Sequence, residues 1–322
     1  MIRFKSAMLA AALLVPGAAY AADNVAITLN WTIGADHAPI YWAQKRGLYK
    51  AAGIDLSIEI GKGSAYAAQR AGVNASQFGI VDMPTAMQAR ANGADIVAAF
   101  VIYDQSPYTI YWKKSSGIAS IKDLKGKKIG TPPADAARLM WPVIAKTAGI
   151  EVDSVSWVNL APDAKFAALQ SGTIDVTTNF YNLHFAAERI FGADLGFLRL
   201  STIGFNPYGN AIFVNGAYAA AHADTTRKFI EITQKAYAEC VKTPKPCLQS
   251  VVEAASQDPA DLEKSWVLTA ELMKGTAGDT FGSFKDERVA KDYEVVTSIF
   301  GTKPYDYKTI FTNKYLDAGL KN

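Results

Sequence analysis

Apolar and polar positions along this chain follow two periods that exchange every ten or so residues. Val25–Leu29 and Ile54–Ile60 alternate with period two, which predicts half-buried strands. Between them Ala38–Arg46 carries apolar residues at helical spacing and stops at Gly47. Ser64–Ala71 reads as a helix, Phe78–Val81 as a short buried strand, Pro84–Ala91 as a helix opening on proline, and Ile96–Ile102 as a strand. Strands that alternate with helices of this length predict βαβ units and a mostly parallel sheet.

A second series of the same kind follows a break at Asp104-Gln105-Ser106-Pro107 and an extended aromatic run, Tyr108–Trp112. It comprises a strand at Lys127–Gly130, a helix at Ala134–Ala148, a strand at Val155–Leu160 and a helix at Asp163–Ser171. A strand at Ile174–Thr178, a helix to about Arg189 and a strand at Phe197–Leu200 complete it. Phe205–Val214 is again extended, and from about Thr225 the pattern is mostly helical. The expectation is an α/β fold of two lobes, each a mostly parallel sheet flanked by helices. Two extended crossings, near 105–112 and 203–215, would join them, and the helical tail would return to buttress lobe one. Lobe one is then residues 23–106 plus 214–322, and lobe two residues 107–213. A single continuous α/β domain would leave the two crossings without a role.

The amino terminus changes the picture of where this fold works. Arg3 and Lys5 precede an apolar run, Ala7–Val15, which Pro16-Gly17 breaks, and Ala19-Tyr20-Ala21 fits the small-x-small cleavage rule. That order predicts a signal peptide over residues 1–22, cleaved near Ala21 or Ala22, and export to the periplasm. The run is far short of the ~20 residues that span a bilayer. Loss of Arg3 and Lys5 takes the basic count from 33 to 31 against 30 acidic residues, so the exported chain is almost neutral. Such a chain has no field for nucleic acid, and a monomer that takes a small-molecule solute is expected. The only cysteines, Cys240 and Cys247, lie close together; in an oxidising compartment they read as a structural disulfide.

Candidate binding residues fall at strand ends, where ligands enter an open α/β sheet. Asn30 offers both a donor and an acceptor, and Trp31 is either a stacking face for a planar solute or a core residue. Asp36 and His37 are either ligand contacts or a helix-start pair. Ser64 follows Gly61-Lys62-Gly63 at a helix start, where free amides favour an anion or a carbonyl oxygen. Asp82 accepts from a ligand or caps the helix after it. In the second series Tyr108, Thr131, Asn179 and Tyr181 take comparable places, and Asn206 at the second crossing either adds an amide or packs the hinge. Neither a Ser-His-Asp arrangement nor a Gly-rich dinucleotide fingerprint is present.

Leu29–Asp55 reads LNWTIGADHAPIYWAQKRGLYKAAGID. With QFGIVDMPTAMQARANGADIVAAF at Gln77–Phe100 and IKDLKGKKIGTP at Ile121–Pro132, it resembles the periplasmic binding proteins for nitrate, sulfonates, taurine and thiamine precursors. That superfamily also holds the fungal thiamine-pyrimidine synthases, and the Asn-Trp and Asp-His elements look closest to the pyrimidine branch. The resemblance implies a two-lobed, type II-like periplasmic binding protein fold that closes on its solute. It also implies a membrane permease and an ATPase of an ABC importer as partners, no cofactor and no catalysis. The implied solute is a small planar heterocycle or aromatic, such as a thiamine-precursor pyrimidine; a sulfonate, taurine or nitrate-type anion is the alternative. A pyrimidine synthase is the alternative of another class, and it would require a cofactor-bearing lysine and an iron-binding cysteine cluster. Pyrimidine-binding relatives tend to carry an acid in the segment after Thr178, where this chain has Asn179, Asn182 and His184.

Overall fold

A computed structural model describes residues 22–322. The signal peptide expected over residues 1–22 lies, but for its last residue, outside the described residues. Among those described, no helix is long and apolar enough to cross a membrane.

Among the described residues, ten strands form two five-stranded sheets. They are β1 (Asp23–Thr28), β2 (Ile54–Glu59), β3 (Phe78–Asp82), β4 (Ile96–Val101), β5 (Tyr108–Lys113), β6 (Lys128–Thr131), β7 (Ser156–Asn159), β8 (Val176–Phe180), β9 (Leu195–Arg199) and β10 (Asn210–Asn215). The first sheet has the order β2-β1-β3-β10-β4 and the second β7-β6-β8-β5-β9. Exchanging β1, β2, β3, β4 and β10 for β6, β7, β8, β9 and β5 turns one order into the other. In each, one strand runs against the rest: β10 pairs antiparallel with β3 and β4, and β5 with β8 and β9. The sheets are therefore mixed, with the crossing segments supplying the reversed strand. Asn210–Asn215, read from sequence as part of a crossing, is an interior strand of the first sheet.

Alternation along these strands feeds apolar side chains to both faces. Ile80, Phe100 and Ile212 meet Phe229, Tyr237 and Trp266 on one side of the first sheet. Their neighbours Val81, Val101 and Phe213 meet Met87, Phe284 and Val289 on the other. In the second sheet Ile110 and Val176 share a core with Trp141 and Ile144, and Tyr111 packs with Leu169 and Phe191 on the opposite face. The helix expected over Ala134–Ala148 is two helices, Ala136–Leu139 and Trp141–Ala148. Pro142 explains the break, because it lacks an N–H and its ring collides with the carbonyl four residues back. Strand β8 begins two residues later than the Ile174 expected, since Ile174 is buried in the second lobe's outer core.

The tail is helical: Ala223–Lys242, Pro244–Ala255, Pro259–Met273 and Asp286–Phe300. The first two pack on helix Ala38–Lys45 of the first sheet. Cys240 and Cys247 are joined across their junction with Cα atoms 5.9 Å apart, and both are buried. The last helix grips both crossings. Arg288 Nη1 donates to Asp104 Oδ1 at 2.7 Å, and its guanidinium lies 3.9 Å from the Tyr208 ring centroid. One turn on, Asp292 Oδ2 accepts from the Tyr208 N–H at 3.0 Å, and burial pushes its carboxyl up to about 7.

Candidate ligand-binding site

The carboxyl ends of the central strands of both sheets converge on one cavity of about 320 Å³. From the first sheet it is lined by Asn30 and Trp31 after β1, by Asp36 and His37 at the start of helix Ala38–Lys45, and by Ser64. From the second it takes Asp135, Asn179, Phe180, Asn182 and Phe185, and the tail adds Gln257, Asp258, Asp261 and Ser265. The size suits a small ring-bearing molecule, and ligand sites of this kind are mostly apolar with a few placed polar groups.

Backbone contacts set the β1 end. The Gly63 N–H donates to the Asn30 carbonyl at 2.8 Å and the Gly61 N–H to the Trp31 carbonyl at 3.1 Å. Gly63 has φ +123°, and a Cβ there would lie 2.2 Å from the Ala134 carbonyl oxygen, so the two lobes touch backbone to backbone at this point. Asn30 is only 4% exposed and His37 1%. The His37 ring Nε2 lies 3.0 Å from Asn30 Oδ1, and its Nδ1 accepts from the Gly34 N–H at 3.1 Å. Burial lowers the His37 pKa, opposed by the neighbouring Asp36 carboxylate, so the ring is neutral at pH 7.

Charge in the cavity wall is unevenly balanced. Asp135 caps helix Ala136–Leu139 through the Ala137 and Arg138 N–H groups and accepts from Thr178 Oγ1 at 3.2 Å. Its Oδ2 takes the Lys165 ammonium at 3.0 Å. Lys165 is fully buried behind the wall; burial lowers its pKa and Asp135 raises it. The same ammonium lies 5.0 Å from the Trp31 ring centroid and covers one face of the indole. Asp261 is held by Arg189 at 2.6 and 2.5 Å across the mouth, and Asp258 caps helix Pro259–Met273. Asp36 has His37 beside it at 3.6 Å and the buried Tyr103 hydroxyl close to its carboxylate, and no lysine or arginine is paired with it among the described residues. Among the described lining residues there is no lysine or arginine.

Of the residues singled out from sequence, Asn30, Trp31, Asp36, His37, Ser64 and Asn179 come together on this wall. Five others lie off it. Asp82 caps helix Met83–Ala91 through the Thr85 N–H and takes the Tyr108 hydroxyl, so these two fully buried groups join the sheets beneath the cavity. Burial raises the Asp82 pKa against those hydrogen bonds. Thr131 is buried under Thr178, Tyr181 is covered by Arg199 at 4.0 Å and stacks on His184, and Asn206 accepts from the Ser106 N–H between the crossings. Arg138, on helix Ala136–Leu139, donates to Asn159 at 2.6 Å and does not line the cavity. Sequence reasoning missed Asp135, Lys165, Phe185, Gln257 and Ser265. Only Asp135 carried a signal, as an N-cap before Ala136-Ala137.

Comparison with known proteins agrees with the fold. An alkanesulfonate-binding protein from Xanthomonas axonopodis, bound to MOPS, superposes with a TM-score of 0.68 at 15% identity over 91% of this chain and 98% of that one. The periplasmic aliphatic sulphonate-binding protein of Escherichia coli gives 0.70 at 15% over 91% and 99%. These establish the periplasmic binding protein fold. In sequence, a 4-amino-5-hydroxymethyl-2-methylpyrimidine phosphate synthase of Legionella pneumophila is 23% identical over 91% of this chain and 92% of its own. A Brucella abortus protein provisionally named a binding protein is 24% identical over 84% and 92%. The expectation of no catalysis is thereby corrected, because relatives named as pyrimidine phosphate synthases align over about nine-tenths of both chains. The profile described as NMT1/THI5 like matches residues 34–247, about two-thirds of the sequence, and the chain belongs to that family.

Proposed function

We propose that this protein is the extracytoplasmic solute-binding component of an ABC-type importer, and that its solute is a small planar nitrogen heterocycle, neutral or cationic. One observation carries the reading. The cavity between the sheets combines aromatic and amide groups with the Asp36 carboxylate, which has no lysine or arginine beside it, and its described wall holds no basic side chain to meet a sulfonate. An anion placed there would face Asp36 without a counter-charge, whereas ring N–H or amino groups find acceptors. Lobe one on this reading is residues 23–106 with 214–322, and lobe two is residues 107–213, apart from the β10 strand that enters the first sheet. Ligand contacts from both lobes favour the closed state, the form that a membrane permease with its ATPase would receive. Export to the periplasm belongs to the same proposal.

Native mass spectrometry of the protein as purified, followed by a thermal-shift panel, tests it. The panel contains 4-amino-5-hydroxymethyl-2-methylpyrimidine, flavins, aromatic acids, taurine and alkanesulfonates. Stabilisation by the pyrimidine or another planar nitrogen ring supports the reading; stabilisation by sulfonates alone overturns it.

The synthase-named relatives carry a second reading, pyrimidine formation in the same cavity. The lysine-anchored cofactor and cysteine-held iron implied for such enzymes do not fit the residues present: no lysine lines the described wall, and the two cysteines are bonded to each other. Detection of a pyrimidine product by mass spectrometry after incubation with candidate precursors would establish turnover.

A further inference from the structure

We propose that His37 is a positioning residue: it fixes the Asn30 amide so that its NH2 end faces the cavity, and thereby selects solutes that present a hydrogen-bond acceptor at that point. The inference rests on the cavity being the solute site, and it goes beyond that reading by assigning donor and acceptor positions on the wall.

Hydrogen-bond polarity fixes the ring and the amide together. The Gly34 N–H can only donate, so the His37 Nδ1 it meets at 3.1 Å is the unprotonated acceptor nitrogen. The neutral ring then carries its proton on Nε2 and must donate at 3.0 Å. Its partner on Asn30 is therefore the carbonyl oxygen; a flipped amide would set two donors against each other in a buried place. The Asn30 Nδ2 donors have no protein partner among the described residues, on a side chain that lines the cavity. The Asn30 backbone cannot swing to relieve them, because Gly63 holds its carbonyl and Gly61 is packed against its peptide. Asp36 Oδ2 lies 3.6 Å from the same His37 Nε2. A fixed NH2 donor and a carboxylate acceptor thus stand side by side. They complement an amidine-type edge, in which a ring nitrogen acceptor neighbours an amino or N–H donor.

Two measurements test this on the full mature chain. Long-range 1H–15N spectra of the histidine side chains at neutral pH are expected to show His37 with an unprotonated-type Nδ1 and a protonated-type Nε2; the opposite tautomer, or an imidazolium, overturns the proposal. The second compares binding of 2-aminopyrimidine and aniline, isosteric neutral rings that share the amino donor and differ at the neighbouring position, a ring nitrogen acceptor in the first and a C–H in the second. Wild type is expected to prefer 2-aminopyrimidine by roughly tenfold or more, the cost of leaving the Asn30 donor unsatisfied. His37→Gln, which can set an N–H near the Nε2 position, keeps the preference. His37→Asn, which replaces only the Nδ1 side, reduces it below about threefold. Equal preference in all three proteins overturns the relay. If wild type binds neither ring, the solute reading fails, while the tautomer measurement still decides the role of His37.

Discussion

Lys165 and Asp135 make a sharp test of the closed cleft, because their pair is buried and their surroundings differ. Lys165→Met removes the ammonium from a site that is 1% exposed. Asp135 then keeps three donors, from the Ala137 and Arg138 N–H groups and the Thr178 hydroxyl. The loss falls at the low end of that for breaking a buried pair, about 3 kcal/mol. Asp135→Asn leaves the ammonium with only the Trp31 face and a weaker amide acceptor, for a loss of about 3–4 kcal/mol. The double variant buries no charge and keeps an amide at the helix cap, so it recovers at least about 2 kcal/mol relative to the sum of the single losses. Urea unfolding of all four proteins, followed by tryptophan fluorescence, gives the cycle. Additivity within about 0.5 kcal/mol would refute the reasoning, since it would mean that the two groups do not sense each other in solution.

Trp31→Ala is expected to weaken a bound heterocycle by about 1 kcal/mol or more, measured by calorimetry with whichever panel compound binds; an unchanged affinity removes the indole from the site. Asp292 has a raised pKa, about 7 against 3.8 unfolded, so its contribution is full below the unfolded value and is lost as pH rises through 7. Asp292→Asn, which keeps the acceptor for Tyr208, should therefore gain stability over wild type between pH 4 and pH 8, by at most about 4 kcal/mol, in urea midpoints; parallel pH profiles would contradict this. Replacing Cys240 and Cys247 by serine opens a loop of seven residues and should cost about 2.4 kcal/mol, and dithiothreitol should then have no further effect. Gly63→Ala places a methyl against the Ala134 carbonyl only when the lobes meet, so it should weaken solute binding. Gly47→Ala, also at positive φ but with open space around it, should leave binding unchanged.

Much of the fold was legible because its strands are short, apolar and punctuated. Ile54–Glu59 and Phe78–Asp82 lie within a residue of the expected bounds, since their burial alternates or saturates as the sequence does. Asn210–Asn215 was harder: a strand buried on both faces with a reversed direction has the same composition as an extended linker, and only its partners β3 and β4 reveal it. The cavity divides in the same way. Asn30, Trp31, Asp36, His37, Ser64 and Asn179 sit at strand or helix ends, where local reading points. Gln257 and Ser265 reach the wall from the tail, more than two hundred residues from Trp31, and nothing local distinguishes them from a solvated helix surface. Lys165 looks like any surface lysine until Trp31 and Asp135 close over it.

The position of β10 between β3 and β4 also sets a timetable. Strand β4 has β10 as its only neighbour in the sheet, with one further bridge from Ala98 to Phe311. Val101, its last residue, and Asn210, the first of β10, are 109 positions apart (210 − 101). At a synthesis rate of about 5–20 residues per second, that interval lasts roughly 5–20 seconds. Throughout it Ile96–Val101, an almost wholly buried run in the finished protein, has no strand to join. All five strands of the second sheet meanwhile emerge in one stretch, Tyr108–Arg199, and can pair as they appear. The second lobe can thus complete before the first, and for those seconds the growing chain carries an unpaired apolar strand open to a holding chaperone.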